Sequence, residues 1–292
     1  MSDNLRVLEA AGLLDFLRAQ LRDWSRSTIK QRLQTGCVSV NGKRTTKHDY
    51  ALMVGDVVEV SATAKVVVNE PSRLEILYSD ADLIAINKPA GLLSVATEKE
   101  KYLHALAILR HQLSRRSHPV KLWPVHRIDR DTSGVLLFAT SREMREAVMA
   151  TWDAVEKIYL AVVEGCPVPP NGTINQPLRV DDVFCQVHVG AHHPGAKPAI
   201  THYKTERTAG SRSLLRVQIE TGRQHQIRAH LGWLGYPVVG DPRYGTAGVR
   251  MGLHAFSLKI VHPVTGKELI FETPAPADFL ALLTFTSVKK PK

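Results

Sequence analysis

Apolar residues fall at two different periods along the chain, and the change of period marks out two units. Leu13, Leu14, Leu17 and Leu21 recur at helical spacing, which predicts an amphipathic helix. Ser25 or Ser27 is placed to cap a second helix that turns Ile29 and Leu33 inward and stops near Gly36. CVSV then alternates as a strand does. Asn41-Gly42 is a two-residue hairpin signal, because both turn positions favour positive φ. Gly55-Asp56 marks a further turn before the strand VVEV. Two short helices followed by short strands predict a small α+β module over residues 1–62. Residues 63–73, TAKVVVNEPSR with Pro71 as punctuation, are expected to be a linker.

From residue 74 to 284 strand periods dominate. LEILY and LIAIN flank the turn-rich SDAD, and VLLFA (135–139) is the continuous apolar run of a buried strand. SREMREAVMATW predicts a helix begun by Thr140 or Ser141, and KIYLAVVEG, LLRVQIE and HAFSLKI predict further strands. Residues 181–198 suit a loop or hairpin. Many strands with few helices, and no strand–helix alternation, predict an α+β catalytic-sized domain with a mixed, mainly antiparallel sheet and flanking helices. The end of the chain, 285–292, is expected to be a loose tail.

Composition narrows the classes. The chain has 292 residues, of which 44% are apolar, enough for ordinary buried cores. It has no uninterrupted apolar run of about 18 residues, so no membrane-spanning helix is expected. The N-terminal residues lack the pattern of a secretory signal. Cys37, Cys166 and Cys185 are odd in number and far apart, which suits a reducing compartment, and a cytoplasmic location is expected. The formal charge of +10 points to a polyanionic partner and says nothing of chemistry.

The charge is unevenly placed. Residues 24–48 carry Arg26, Lys30, Arg32, Lys43, Arg44 and Lys47 and no acidic residue. A helix face and a hairpin tip pointing the same way would make these a phosphate-binding patch; a merely solvated face is the alternative. The stretch from SRS through VNG to GD resembles the S-four-like RNA-binding domain, named after a small-subunit ribosomal protein. That resemblance implies binding of structured RNA without chemistry.

The densest polar cluster is PVHRIDRDTSGVLLFA, where Asp129 and Asp131 stand among His126, Arg127 and Arg130 before a buried strand. Arginine neighbours would keep a carboxylate ionised and oriented. A structural salt-bridge cluster fits the same spacing. The DTSG run has one residue too many for an aspartic-protease loop, and HRID displaces the aspartate of a kinase loop and lacks its partner motifs. A second cluster is TGRQHQIRAHLGWLGYPVVGDPRYG. A short helix there would put Gln224 with Arg228, and Gln226 with His230, on its faces. A polar surface helix with a basic face is the plain alternative.

Together these stretches resemble the RluA family of RNA pseudouridine synthases. The family hallmark HRLDxxTSG reads His126-Arg127-Ile128-Asp129-Arg130-Asp131-Thr132-Ser133-Gly134, with Ile for Leu as the one departure. INKPAGLLS, KIYLAVVEG, GRQHQIRAH with GYPVVGDPRYG, and GLHAFSLKIVHPVTG match its other blocks in order. The resemblance implies an isomerase that detaches uracil from its sugar at nitrogen, turns it and rejoins it through carbon. It implies no cofactor and no metal, and the sequence has no GxGxxG, P-loop or HExxH. By the family pattern Asp129 is the essential carboxylate. It attacks the anomeric carbon, adds to the base ring, or takes a proton from the neighbouring sugar carbon; the sequence does not choose. Arg228 is implied as its partner, Tyr159 as the residue against the uracil that helps remove the proton from carbon 5, and Leu253 as packing near the base. Arg127 is implied as the filler of the space left by the extruded nucleotide. Arg223, at the start of the HQIR helix, is expected to contact RNA.

Structured RNA, rRNA or tRNA, is therefore the expected partner, with large-subunit rRNA favoured, and the chain is expected to act as a monomer. Two other functions fit fewer residues. A retained RNA-binding assembly factor would not need Asp129, Tyr159 and Arg228 together. A metal-dependent hydrolase would rest on His188, His192, His193 and His202, whose spacing matches no zinc motif.

Overall fold

The structure, a computed structural model, describes residues 2–21, 24–34, 37–45, 47–61, 73–98, 100–114, 119–181, 186–190 and 195–284. The chain divides into two compact units, Met1–Ser72 and Arg73–Lys292. Apart from Arg73, the expected linker lies outside the described residues, as does the expected tail.

The smaller unit runs β1 (Ser2–Arg6), β2 (Ala11–Gly12), α1 (Leu13–Gln20), α2 (Arg26–Gln34), β3 (Val38–Val40), β4 (Lys43–Arg44), β5 (Ala51–Leu52) and β6 (Val57–Ser61). An antiparallel sheet in the order β1-β6-β3-β4 packs on the two helices. Leu13, Phe16 and Leu17 of α1 and Ile29 and Leu33 of α2 meet Val38, Val40, Val58 and Val60 in one core. Ser25 caps α2, its Oγ accepting from the Thr28 N–H at 3.1 Å. The hairpin signal is realised: Asn41 and Gly42 have φ of 50° and 73°. Asn41 also binds the next turn, donating to Asp56 Oδ1 at 2.7 Å and accepting from the Val57 N–H at 2.8 Å.

The larger unit contains β7 (Glu75–Ser79), β8 (Leu83–Lys88), α3 (Ala105–Leu113), β9 (Trp123–Pro124), β10 (Ser133–Ala139), α4 (Arg142–Ala150), β11 (Glu156–Glu164), β12 (Asn171–Asn175), β13 (Leu178–Asp181), β14 (Gln186–Val189), β15 (Ile200–Ala209), β16 (Arg212–Ile219), α5 (Gln226–Trp233), β17 (Leu253–Val261), β18 (Glu268–Glu272) and α6 (Ala277–Ala281). A ten-stranded sheet has the order β12-β15-β16-β11-β17-β10-β8-β7, with β18 beside β17 and β9 beside β10. The fold is α+β and dominated by this mainly antiparallel sheet. Residues 178–189 form a hairpin, β13 with β14, which overlaps the start of the segment 181–198 expected to be a loop or hairpin; residues 182–185 and 191–194 of that segment lie outside the described set.

The continuous apolar runs follow from burial on both faces. In β8 and β10, Leu83, Ala85, Val135 and Leu137 pack towards Met144 and Val148 of α4. The alternate residues Ile84, Ile86, Leu136 and Phe138 pack towards Leu106 and Leu109 of α3. Ser141 caps α4, accepting from the Met144 N–H at 3.0 Å.

One parallel pairing breaks the antiparallel pattern, at the centre of the sheet. Ser133 lies opposite His254 and Gly134 opposite Ala255. Ala255 is also opposite Tyr159 on its other side, at a register shift in β11. Three segments distant in sequence therefore meet around one residue. The approach requires Gly134: its φ is +116°, and a Cβ there would stand 2.1 Å from the Ala255 carbonyl oxygen.

Candidate active site

Asp129 sits on the loop between β9 and β10 and is part-buried, with Ile128 and Arg130 held on either side of it. Ser94 Oγ donates to the Ile128 carbonyl at 2.7 Å and accepts from its N–H at 3.2 Å. The fully buried Lys88 donates from Nζ to the carbonyls of Pro89 (2.9 Å), Leu92 (2.6 Å) and Arg130 (3.0 Å). Arg130 Nε donates to the Gly91 carbonyl at 3.0 Å. The NKPAGLLS segment thus grips the backbone on both flanks of Asp129. Burial pulls the Lys88 ammonium down to about 7, against the opposing charges of Asp131 and Asp129.

The strand after the loop is anchored by a buried relay. His254 Nε2 lies 3.0 Å from the Thr273 carbonyl, so it carries the proton, and Nδ1 accepts from Ser133 Oγ at 2.8 Å. Ser133 Oγ in turn accepts from Arg250 at 2.9 Å. Behind the loop His126 accepts the Leu137 N–H through Nε2 at 3.1 Å. Burial, then nearby Lys157, pushes His126 down to about 4, so its ring is neutral.

The partner of Asp129 comes from α5. Arg228 NH1 donates to Asp129 Oδ2 at 2.8 Å, while its Nε and NH2 hold Asp241 at 2.7 and 2.9 Å. Arg228 is 7% exposed and Asp241 is fully buried. Burial opposes both charges, and each is carried by the other: the guanidinium stays raised, and Asp241 is held below the usual carboxylate range. The Tyr244 ring lies 5.4 Å from the Arg228 guanidinium carbon.

These groups open on one cleft, lined by both polar and apolar side chains. Arg127, Asp129, Tyr159, Arg223, His225, Arg228 and Leu253 are among its lining residues. Burial and the Asp129 charge push the Tyr159 phenol well above its ordinary value, so it is protonated in this site. Leu253 is buried, and Arg127 is exposed at the wall. Arg223 is exposed and donates from Nε to the Pro198 carbonyl at 3.1 Å. All five residues implied for catalysis therefore line one cleft, with Arg223 beside them.

The remaining expectations fall elsewhere. Arg26 and Lys30 are exposed on α2, and Lys47 is exposed beyond β4. Arg32 is part-buried and lies over the Trp24 ring at 5.4 Å. Lys43 and Arg44 form β4, and their side chains are outside the described set. Of the four histidines weighed for a metal, His192 and His193 are outside the described residues. His188 lies near Asp181, and His202 bonds Glu220 and Thr173.

The surface-helix alternative for residues 226–233 is overturned. Gln226, Arg228 and His230 are all buried, and Gln224 precedes the helix instead of pairing with Arg228 along it. Gln226 bonds Thr201 and the Ile200 carbonyl, and His230 bonds Thr201 and the Gln176 carbonyl. Helical spacing cannot separate a solvated polar face from one buried against other polar groups. Sequence reasoning also passed over Asp241, Tyr244, His225, Lys88 and Ser94. Each lies in a quoted motif, but only tertiary contact gives it a partner.

A family model described as RNA pseudouridylate synthase matches residues 82–233. The chain is 36% identical to a Vibrio cholerae protein named ribosomal large subunit pseudouridine synthase C, covering 92% of this chain and 91% of that one. It is 34% identical to a Bacillus subtilis protein named uncharacterized RNA pseudouridine synthase YlyB, over the same shares. It is 31% identical to ribosomal large subunit pseudouridine synthase D of Escherichia coli O157:H7, covering 89% of this chain and 86% of that one. Among solved structures, human RNA pseudouridylate synthase domain containing 4 superposes with a TM-score of 0.58 at 25% identity, covering 70% of this chain and 90% of that one.

Proposed function

The chain belongs to the RNA pseudouridine synthase family, isomerases that convert uridine to pseudouridine in RNA, and on that premise we propose that it modifies large-subunit rRNA with Asp129 as its essential carboxylate. The observation that carries the assignment is the Asp129–Arg228 pair at 2.8 Å, at a cleft that Tyr159 and Leu253 also line. Arg228 occupies Oδ2, and among the described residues Oδ1 accepts no hydrogen bond. That oxygen is free to meet the ribose or the base, whichever route the carboxylate takes. Leu253 packs against the base. Tyr159, protonated and beside Asp129, serves the removal of the carbon-5 proton by passing a proton onward while it is held against the ring. Arg127, exposed at the wall, fills the gap in the stem when the uridine is extruded.

The target preference rests on relatives named for the large ribosomal subunit and on the N-terminal module. That module, residues 1–62, acts as an S-four-like RNA-binding domain, with Arg26, Lys30, Arg32, Lys43, Arg44 and Lys47 on phosphates. The protein works as a cytoplasmic monomer. Among the described residues no helix is long and apolar enough to cross a membrane.

Chemical mapping of pseudouridine in rRNA and tRNA, from cells with and without the gene, tests the target. Loss of a large-subunit rRNA site supports the proposal; loss confined to tRNA replaces it. Tritium release from RNA labelled at uridine carbon 5 tests the carboxylate. Asp129→Asn should bind RNA and fold but release nothing, and appreciable release by that variant overturns the assignment.

A further inference from the structure

His225 occupies the residue before α5 in a left-handed conformation, φ 50° and ψ 20°. Besides Asn41 in its hairpin, it is the one non-glycine residue with positive φ among the described residues. Such a backbone persists where its surroundings hold it, and such positions cluster at functional sites. The geometry carries the imidazole into the wall of the cleft, 11% exposed, where it lines the same space as Asp129 and Tyr159.

The proton on that ring can be placed. Tyr244 Oη accepts the Val187 N–H at 3.0 Å and lies 3.1 Å from His225 Nδ1. The described structure offers the phenolic hydrogen no other acceptor, so Tyr244 donates to Nδ1 and the neutral ring carries its proton on Nε2. Burial, with Arg228 and Arg243 nearby, disfavours a second proton, against the charges of Asp129 and Asp241.

Nε2–H then has no acceptor within the described residues. Asp129 Oδ2 stands 3.9 Å away, beyond hydrogen-bond reach, and that oxygen already takes Arg228 at 2.8 Å. A donor on a cleft wall, fixed in one tautomer and left without a protein partner, is arranged for the ligand.

We propose that His225 is a further catalytic residue, whose neutral Nε2–H donates a hydrogen bond to a carbonyl oxygen of the uracil while the base is detached. The proposal rests on the synthase reaction assigned above. When the bond from the anomeric carbon to N1 breaks, its electron pair leaves with the base, and the negative charge spreads over both carbonyl oxygens. His225 keeps its proton and stabilises that charge. The charge is spent when carbon 5 bonds to the anomeric carbon. The carbon-5 proton then leaves and N1 regains a proton, so the base ends as an isomer of the same formula. A donor waiting where charge develops acts mainly in the transition state.

The test uses the full-length protein and a synthetic stem-loop carrying the uridine located by the rRNA mapping, under single-turnover conditions. The stem-loop is made with uridine, 2-thiouridine or 4-thiouridine at that position, because sulfur is the weaker acceptor. His225→Asn keeps a residue type that tolerates left-handed backbone. It should form pseudouridine about 10²-fold more slowly, as expected for loss of one such donor, with unchanged RNA affinity. One thio substitution should slow the wild type yet slow His225→Asn no further. Tyr244→Phe, which keeps the ring over Arg228 and removes the hydroxyl that both fixes the tautomer and accepts the Val187 N–H, should lose part of the same rate. It serves as the test if His225→Asn fails to fold. A His225→Asn rate equal to wild type, or equal thio penalties in the two proteins, overturns the proposal alone. A wild-type protein that makes no pseudouridine overturns the reading beneath it.

Discussion

Arg228 meets Asp241 through two parallel hydrogen bonds, at 2.7 and 2.9 Å, and this buried pair is what points the remaining NH1 at Asp129. A planar guanidinium can bridge two carboxylates in fixed directions; an ammonium cannot. Asp241 is absent from the residues that line the cleft. Asp241→Ala should nonetheless cost about 3–5 kcal/mol of stability, because it strands a buried cation, and it should cut turnover by freeing Arg228 to rotate. Denaturant titration and tritium release check the two effects. Arg228→Lys should lose activity although its charge is kept.

Tyr159 is paired in register with Ala255 and faces the cleft with its phenol protonated. Tyr159→Phe should retain RNA affinity and lose roughly 10²–10⁴-fold in single-turnover rate, the usual scale for a positioned proton-transfer group. Pseudouridine formation at the wild-type rate would remove Tyr159 from the chemistry.

Arg127 is exposed at the cleft wall. Arg127→Ala should slow modification of a uridine within a paired stem more than modification of the same uridine in an unpaired strand. The ratio of the two rates, variant against wild type, is the measurement; equal losses would count against a role in filling the stem.

Gly134 lets β10 approach β17 closely enough to pair in parallel. Gly134→Ala should cost about 3 kcal/mol or more, since both the positive φ and the 2.1 Å approach resist a methyl group. Thermal denaturation reads this directly. Gly42→Ala, where nothing lies within 4 Å of the added carbon, should cost only the strain of its positive φ.

His126 supplies a pH dependence. Its folded value is pushed down to about 4 from an ordinary 6.5, so between those limits the unfolded chain binds a proton that the folded chain does not. The stability it contributes is whole above pH 6.5 and is lost progressively as pH falls towards 4. Ring carbon NMR should show His126 titrating near pH 4. His126→Asn should flatten the fall in unfolding free energy between pH 6.5 and 4.5 relative to wild type.

The sequence alone determined the motif order and many of the elements, though not β1, α3, β12 or α6. Capping at Ser25 or Ser27 and at Thr140 or Ser141, the turn at Asn41-Gly42, and the buried run VLLFA are local statements, carried by backbone propensity and by the alternation of side chains; the structure chose Ser25 and Ser141. Asp129, Tyr159, Arg228, Arg127 and Leu253 were nominated by the family resemblance of the motifs they stand in, and the fold sets all five around one cleft. Which groups serve Asp129 was decided by tertiary structure. Gly134 and Tyr159 reach Ala255 only once distant strands pair across the sheet. Asp241 looked like a turn residue until α5 brought Arg228 against it. His225 was one polar residue in a helix start until a left-handed backbone and the Tyr244 hydroxyl fixed its free proton on the cleft wall. Hydrogen bonds act over about 3 Å and are directional, so sequence spacing can nominate the groups, and only the fold brings them within reach.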